Sequence, residues 1–314
     1  MSYASELKKE LCTIDIEKDY SKFELLSFII FKSEISLSSR KFNIQFSTTS
    51  LTLSRRIINL FLTLYNINPA IISKKQDKLD YKDVYQIIVE DCEHIIRDLN
   101  MLETTSFFDL DNYKPPFHNE EEKLNYLRGA FLSRGSINDP NTNNYHLEIV
   151  CPNILQKDIL KEILDEIDIK SSYVVRSKGV VLYIKKAECI GDFLRYVGAT
   201  NMLFSYEDLR IKKDLNNYVN RITNCDVANE QKALLTAQKQ LENIEIVLKR
   251  MRLEDIDERL LGVINLRNQN PDDTLSELSE KSEEEIGYYI SKSGLSHRFK
   301  EIEKLAQELT KGNE

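Results

Sequence analysis

The stretch Tyr126–Ser136, Tyr-Leu-Arg-Gly-Ala-Phe-Leu-Ser-Arg-Gly-Ser, places a glycine in the middle of an apolar helical pattern. Glycine inside a helix costs about 1 kcal/mol relative to alanine, so Gly129 implies close approach of a second helix backbone. Gly135 reads as the left-handed residue that stops the same helix. A partner helix lies about a hundred residues earlier. Leu25–Glu34, Leu-Leu-Ser-Phe-Ile-Ile-Phe-Lys-Ser-Glu, carries Ser27 in the place of Gly129 and Ser33 in the place of Gly135.

The patterns that follow the two helices come in the same order. After the first, Phe42, Ile44 and Phe46 alternate, an amphipathic helix covers Leu53–Tyr65, strands lie near Ala70–Ser73 and Val84–Val89, and a helix runs from Cys92 to Leu99. After the second, Tyr145, Leu147 and Ile149 alternate, a helix covers Asn153–Ile167, strands lie near Tyr173–Val175 and Val180–Ile184, and a helix spans Ala187–Tyr196. Period-2 and period-3.6 segments alternate identically, which predicts a duplicated α-β-β-α-β-β-α body of α+β class. Its halves fall at 1–108 and 120–220, joined by a linker at 109–119 whose Pro115-Pro116 excludes helix interior and central strand. A short amphipathic helix with Ala4, Leu7 and Leu11 precedes it, and Asn138–Asn143 is a polar turn between strands.

Beyond Tyr196 the strand signals end, and residues 221–314 read as a helical domain. Asn216–Asp226, including Arg221, bridges to it. A long helix from Asn229 carries the stripe Ala233, Ala237, Leu241, Ile244, Leu248 and Met251. Lys232 and Lys239 share one of its faces, either as solvated charges or as contacts to a nucleic-acid backbone. A helix at about Ile256–Asn268 follows. Thr274-Leu275-Ser276-Glu277 is a capping box opening a short helix to about Lys281, and Glu283-Glu284-Glu285 reads as a loop surface. The last helix begins near Ser291 and buries Leu295, Phe299, Ile302, Ala306 and Leu309. Its opposite face carries Ser293, His297, Lys300 and Lys304, flanked by Ser296 and Arg298. A short helix, a turn and a longer helix with a slim, basic N-terminal end, at about 274–308, is the layout of a helix-turn-helix that enters the major groove. Lys292, Ser293, Ser296, His297, Arg298 and Lys300 are its candidate DNA contacts.

A net charge of −8 over 314 residues excludes a whole-surface polyanion binder, though not a local basic face. The longest apolar run is too short to span a bilayer, and no secretory signal is visible, so a cytoplasmic protein is expected, nucleoid-associated if the candidate DNA contacts above are used. Five scattered cysteines without a Cys-x-x-Cys pair predict buried reduced thiols and no zinc site. His94, His118 and His146 read as isolated structural histidines, and Asp165, Glu166 and Asp168 as a solvated helix end. No nucleophile elbow, P-loop or Gly-x-Gly-x-x-Gly fingerprint is present. No cofactor or metal is expected.

The duplicated body and the Tyr126–Ser136 run resemble the LAGLIDADG homing-endonuclease fold. That resemblance implies two helices at a pseudo-twofold axis and two sheets that straddle DNA. It also implies an acidic residue just before the closing small residue of each helix, to hold a divalent metal at the scissile phosphate. Lys32 and Arg134 stand there instead, and cations repel a metal. Two readings of this pair are open: helix ends snorkelling to water, or contacts to a DNA phosphate. With Asn224-Cys225-Asp226, Ala228-Asn229, the opening Ser2–Leu11 and the terminal Ser291-Lys292-Ser293-Gly294…His297-Arg298, the chain as a whole is similar to the WhiA family of bacterial regulators. It departs from that pattern at Glu283–Tyr289, where an acidic, longer turn replaces a Pro-containing one. The resemblance implies a DNA-binding regulator without nuclease activity, tied to sporulation in spore formers and more widely to cell division and chromosome segregation. Double-stranded DNA is the expected partner, with protein partners in transcription or division; a protein-interaction scaffold with secondary DNA binding is the alternative.

Overall fold

The chain opens with helix α1 (Tyr3–Leu11), which buries Leu7 and Leu11 completely. The computed structural model describes residues 2–38, 41–75, 83–102, 112–142, 144–177 and 179–311. Two units result, Met1–Asp214 and Leu215–Glu314. The first half of the first unit runs α2 (Lys18–Lys32), β1 (Ser33–Ser38), β2 (Lys41–Thr48), α3 (Leu51–Tyr65), β3 (Ala70–Lys75), β4 (Asp83–Val89) and α4 (Glu93–Asp98). The second half repeats that order as α5 (Glu120–Arg134), β5 (Gly135–Ile137), β6 (Leu147–Cys151), α6 (Ile154–Glu166), β7 (Ser172–Arg176), β8 (Gly179–Ile184) and α7 (Ala187–Tyr196). The duplication read from the sequence is therefore the architecture.

Each half forms a four-stranded antiparallel sheet, in the orders β1-β2-β4-β3 and β5-β6-β8-β7. Register decides which residues face the core. Ile44 pairs with Val89 and Phe46 with Ile87, and all four are buried. In the second sheet Leu147 pairs with Ile184 and Ile149 with Leu182, again buried. Directly opposed residues share a face, so the intervening Gln45 and Ser47 of β2 and Glu148 of β6 point away from it.

Helices α2 and α5 pack along each other in the centre of this unit and are buried on nearly every side, from Phe23 to Phe31 and from Asn125 to Ser133. Such all-round burial belongs to a core helix. The approach is close at Gly129, where an added Cβ would sit 2.9 Å from the Glu24 carbonyl oxygen and 2.9 Å from the Ser27 Cβ. Gly135 serves the same end and corrects the expectation of a left-handed stop. Its backbone is extended at φ −83°, and a Cβ there would lie 2.3 Å from the Phe131 ring. The helix ends because β5 begins, and the glycine leaves room for Phe131.

One ion pair is sealed into this core. Arg56 of α3 donates from Nη2 and Nε to Glu24 Oε2 at 2.8 and 3.2 Å, and from Nη1 to the Ile14 carbonyl at 2.8 Å. The position equivalent to Glu24 on α5 is Tyr126, whose hydroxyl reaches Gln156 Oε1 at 2.5 Å, while Gln156 Nε2 donates to the Tyr113 carbonyl at 2.9 Å. Tyr113 and Pro115 are buried, so the described part of the inter-repeat linker is docked; its residues 109–111 lie outside the described residues, as does Asn143 of the polar turn.

Two boundaries differ from the sequence reading. The helix expected from Asn229 starts at Thr200 and continues to Arg250 as α8; Asn216–Asp226 holds no breaker, so helix simply propagates through it. Its first turn is capped from α1, because Glu10 accepts the Asn201 and Met202 N–H groups at 2.7 and 2.9 Å, a carboxylate placed at the positive end of a helix. Cys92 and Cys151 are buried as expected, and burial pushes their thiols up to about 11 and about 12. Cys12 and Cys189 are half-buried, and Cys225 is exposed on α8. His118 and His146 are not isolated: each faces one glutamate, Glu122 at 3.4 Å and Glu148 at 3.2 Å. No group of three or more metal-ligating side chains occurs among the described residues.

Two substitutions test this core. Gly129→Val forces a branched side chain against the Glu24 carbonyl and should destabilise by about 2 kcal/mol despite valine's better helix propensity; urea unfolding of the full chain measures it, and an unchanged midpoint refutes the close approach. Arg56→Met should cost about 3–5 kcal/mol near neutral pH, since it strands a buried carboxylate. Burial already raises Glu24 above its usual range, and Arg56 opposes that rise. In the variant the folded-state pKa climbs further, the folded protein holds the extra proton, and the deficit should shrink as pH falls. A deficit that grows toward acid pH contradicts this.

Candidate nucleic-acid interface

The second unit is built around a small apolar core to which Ile244 and Val247 of α8, Val263, Ile264 and Leu266 of α9 (Glu258–Gln269), Leu278 of α10 (Leu275–Ile286) and Leu295, Phe299 and Ile302 of α11 (Lys292–Lys311) contribute. The capping box at the start of α10 is present, with Thr274 and Glu277 exchanging side-chain to backbone hydrogen bonds. Glu283-Glu284-Glu285 is helical, correcting the expected loop. The helix continues because Ser282 is buried and Ile286 packs on the core, and it stops at Gly287, whose φ of +83° suits glycine.

The turn between α10 and α11 is pinned from inside. Ser279 Oγ donates to the Ile290 carbonyl at 2.6 Å, and the Ile290 N–H donates to Ser282 Oγ at 2.9 Å. Both backbone groups of a buried turn residue are thus satisfied by buried serines, as burial requires. Ser291 then caps α11, accepting the Gly294 N–H on its side chain at 3.2 Å. The first turn of α11 contains no acidic residue, and its backbone N–H groups and helix dipole favour an anion there.

The candidate contacts divide into distinct groups. Lys292, Ser293, His297 and Lys300 are exposed. His297 Nδ1 lies 3.2 Å from Glu301, one turn on. Arg298 is half-buried: its guanidinium lies 5.6 Å from the Tyr288 ring centroid and donates to the Tyr288 hydroxyl at 3.3 Å, so it braces the turn against α11. Ser296 is also half-buried and lines a cavity of about 410 Å³ with Thr236, Lys239 and Gln240 of α8. Lys239 is neutralised by Glu303 at 2.5 Å, whereas Arg221 and Lys232 stand exposed on α8. Lys32 and Arg134, in the other unit, end α2 and α5 and lie close enough that Arg134 lowers Lys32, after the larger effect of burial.

Family models match the chain in three consecutive stretches: the WhiA N-terminal LAGLIDADG-like domain over residues 18–102, the WhiA LAGLIDADG-like domain over 123–216 and the WhiA C-terminal HTH domain over 219–306. A probable cell division protein WhiA of Lactobacillus delbrueckii subsp. bulgaricus is 36% identical over 98% of this chain and 99% of its own. The chain belongs to the WhiA family. The Staphylococcus aureus (strain USA300) probable cell division protein WhiA is 34% identical over 100% of this chain and 99% of its own. Full-length DUF199/WhiA from Thermatoga maritima superposes with a TM-score of 0.60 at 26% identity, covering 98% of this chain and 99% of that one. This family membership carries the LAGLIDADG-like body and the helix-turn-helix together.

Sequence reasoning missed the residue that organises the helix-turn-helix unit. Arg267 of α9 is fully buried. Its Nε and Nη2 donate to Gln240 Oε1 at 3.1 and 2.8 Å, its Nη1 to the Asp273 and Asn270 carbonyls at 2.6 and 3.1 Å, and it lies 5.4 Å from the Phe299 ring centroid. One guanidinium therefore ties α8, the end of α9, the entry to α10 and α11. An arginine near a helix end ordinarily reads as a solvated charge, and only the fold reveals that it is enclosed. Arg267→Leu should cost about 3 kcal/mol, because the carbonyls and Gln240 lose a charged donor. Thermal unfolding followed by circular dichroism measures this, and an unaltered melting profile refutes the role.

Proposed function

We propose that this chain is a DNA-binding regulator whose α10–turn–α11 unit reads duplex DNA, with no nuclease activity. The observation that carries the reading is the N-terminal end of α11. It is exposed, slim and free of acidic residues, with Lys292, Ser293, His297 and Lys300 on one face and a turn held rigid from within. Such an end suits entry to a major groove. Lys292 and Lys300 are the phosphate contacts in this reading, Ser293 and His297 face base edges, and Arg298 positions the helix through Tyr288. Arg221 and Lys232 add backbone contacts, while Ser296, which is half-buried, and Lys239, which is paired with Glu303, contribute less.

One feature supports the absence of cleavage: in these LAGLIDADG-like domains, Lys32 and Arg134 occupy the ends of α2 and α5, where a metal site would need carboxylates. A role in cell division rests on the relatives, which are named as probable cell division proteins; roles in transcription and chromosome segregation belong to the proposed DNA binding, and a sporulation role to spore formers. A cytoplasmic, nucleoid-associated location follows from this reading, and no described helix is long and apolar enough to cross a membrane.

The test uses full-length protein and two duplexes, one enriched by selection and one random. Lys292→Gln and Lys300→Gln should each weaken both duplexes and reduce the salt slope by about one, while His297→Ala should narrow the gap between them. If Lys292→Gln, Lys300→Gln and the double variant His297→Ala/Arg298→Ala all bind both duplexes like the parent, with helicity intact, the groove assignment fails. The scaffold reading then stands in its place.

A further inference from the structure

A cavity of about 620 Å³ opens beside the C-terminal ends of α2 and α5, bounded by α1, β2 and the start of α3. Its volume lies in the range of small-molecule sites. Lys8 and Lys32 line it with the hydroxyl residues Ser47, Thr49, Ser133 and Ser136, and among the described residues no carboxylate lines it. Arg134 stands next to Lys32 on the adjoining helix end. Among the described residues, none of these three cations forms an ion pair; the contact that Lys8 makes is with the Phe131 ring, 5.8 Å from its centroid.

Uncompensated cations gathered in a concave place are costly. Burial and then the charge of Lys32 bring Lys8 down to about 8, and burial and then Arg134 lower Lys32. Each group is thus destabilised in its charged form first by burial and then by its neighbour, a cost that an anion placed between them would offset. The start of α3 adds to the field: this helix of 15 residues has no acidic residue in its first turn, and its cap Ser50 also lines the cavity. Ser133 is buried, and its hydroxyl finds no hydrogen-bond partner among the described residues.

We propose that this cavity binds a compact phosphate-bearing small molecule, such as pyrophosphate or the phosphate tail of a nucleotide, held by Lys8, Lys32 and the surrounding hydroxyls, with Arg134 adding its charge from the neighbouring helix end. Phosphate oxygens match both the cations and the hydroxyl donors, and more than one negative charge is needed to offset the cluster. A small ligand fits better than the backbone of a duplex. Duplex affinity is built from repeated phosphate contacts, yet three described strand residues beside the cavity bring no positive charge: Gln45 in β2, Glu34 in β1, and Glu148, which lies opposite Ser136 and is engaged with His146.

Titration calorimetry of the full-length protein with pyrophosphate, and separately with ATP, tests the proposal. Saturable binding to one site is expected. Lys8→Gln and Lys32→Gln should each weaken pyrophosphate at least about tenfold, the loss expected of a charge-assisted contact, whereas Lys249→Gln, at an exposed lysine of α8 paired with Glu245, should not alter it. Both lysine variants should melt no lower than the parent without ligand, since each removes a repelled charge. Ser136→Glu, which puts a carboxylate at the exposed rim without touching the core, should abolish binding even if a lysine variant proves unstable. ATP and pyrophosphate binding alike marks a site for phosphate alone, and tighter ATP marks one that also meets the nucleoside. No saturable heat with either probe, or binding that survives Lys8→Gln and Lys32→Gln, overturns the proposal. So does a Lys32→Gln/Arg134→Gln variant that loses duplex affinity while the parent ignores pyrophosphate, which assigns the cluster to DNA.

Discussion

The LAGLIDADG-like unit depends on one contact, the approach of α5 to α2 where Gly129 lies against the Glu24 carbonyl and Ser27. With no Cβ between them the two helices come close enough to bury each other almost completely, and the sheets are then carried outward from a shared core. Everything at the C-terminal ends of these helices inherits that closeness. Lys32 and Arg134 are brought together because the helices above them are, and their mutual repulsion is a consequence of packing that stabilises the unit elsewhere.

The two halves share a frame and differ in how they satisfy its interior. At one position the first half uses Glu24 with Arg56, an ion pair removed from solvent, and the second uses Tyr126 with Gln156 and the Tyr113 carbonyl. A buried ion pair recovers its desolvation cost only with good geometry and further hydrogen bonds, which Arg56 obtains from the Ile14 carbonyl. The neutral network attains the same end by tying the inter-repeat linker to α6. Duplication thus preserved backbone order and core faces while the polar interior diverged.

The helix-turn-helix unit meets the same demand in another way. Its turn carries a buried residue, Ile290, and the two serines of α10 that satisfy it leave the turn little freedom. Arg267 performs a similar task for the loop between α9 and α10, and its enclosure by carbonyls and a ring keeps a charge inside a small core. On the exposed face of α11, Lys292 and Lys300 form no ion pair among the described residues, while the Ser293 hydroxyl lies 3.1 Å from that of the cap Ser291. Arg298, by contrast, is held by Tyr288.

Element order, the pairing of the two small-residue helices, the core faces of the strands, the capping box at Thr274 and the apolar stripe of α11 were all legible in the residues. Each follows from local periodicity or from a residue whose conformational demands are strong. Family resemblance then supplied the functional class. What the tertiary structure alone decided has a common physical cause: packing in the folded chain that no sequence period specifies. Gly135 is needed for the space beside Phe131 and not for a left-handed turn. The Glu283–Glu285 run is helical because Ser282 and Ile286 find a core. Arg267 is an interior brace, Glu10 is the cap of a helix that begins at Thr200, and Lys8 joins Lys32 beside one cavity. No periodicity announces such partners, because burial and charge proximity come into being only when the chain closes on itself.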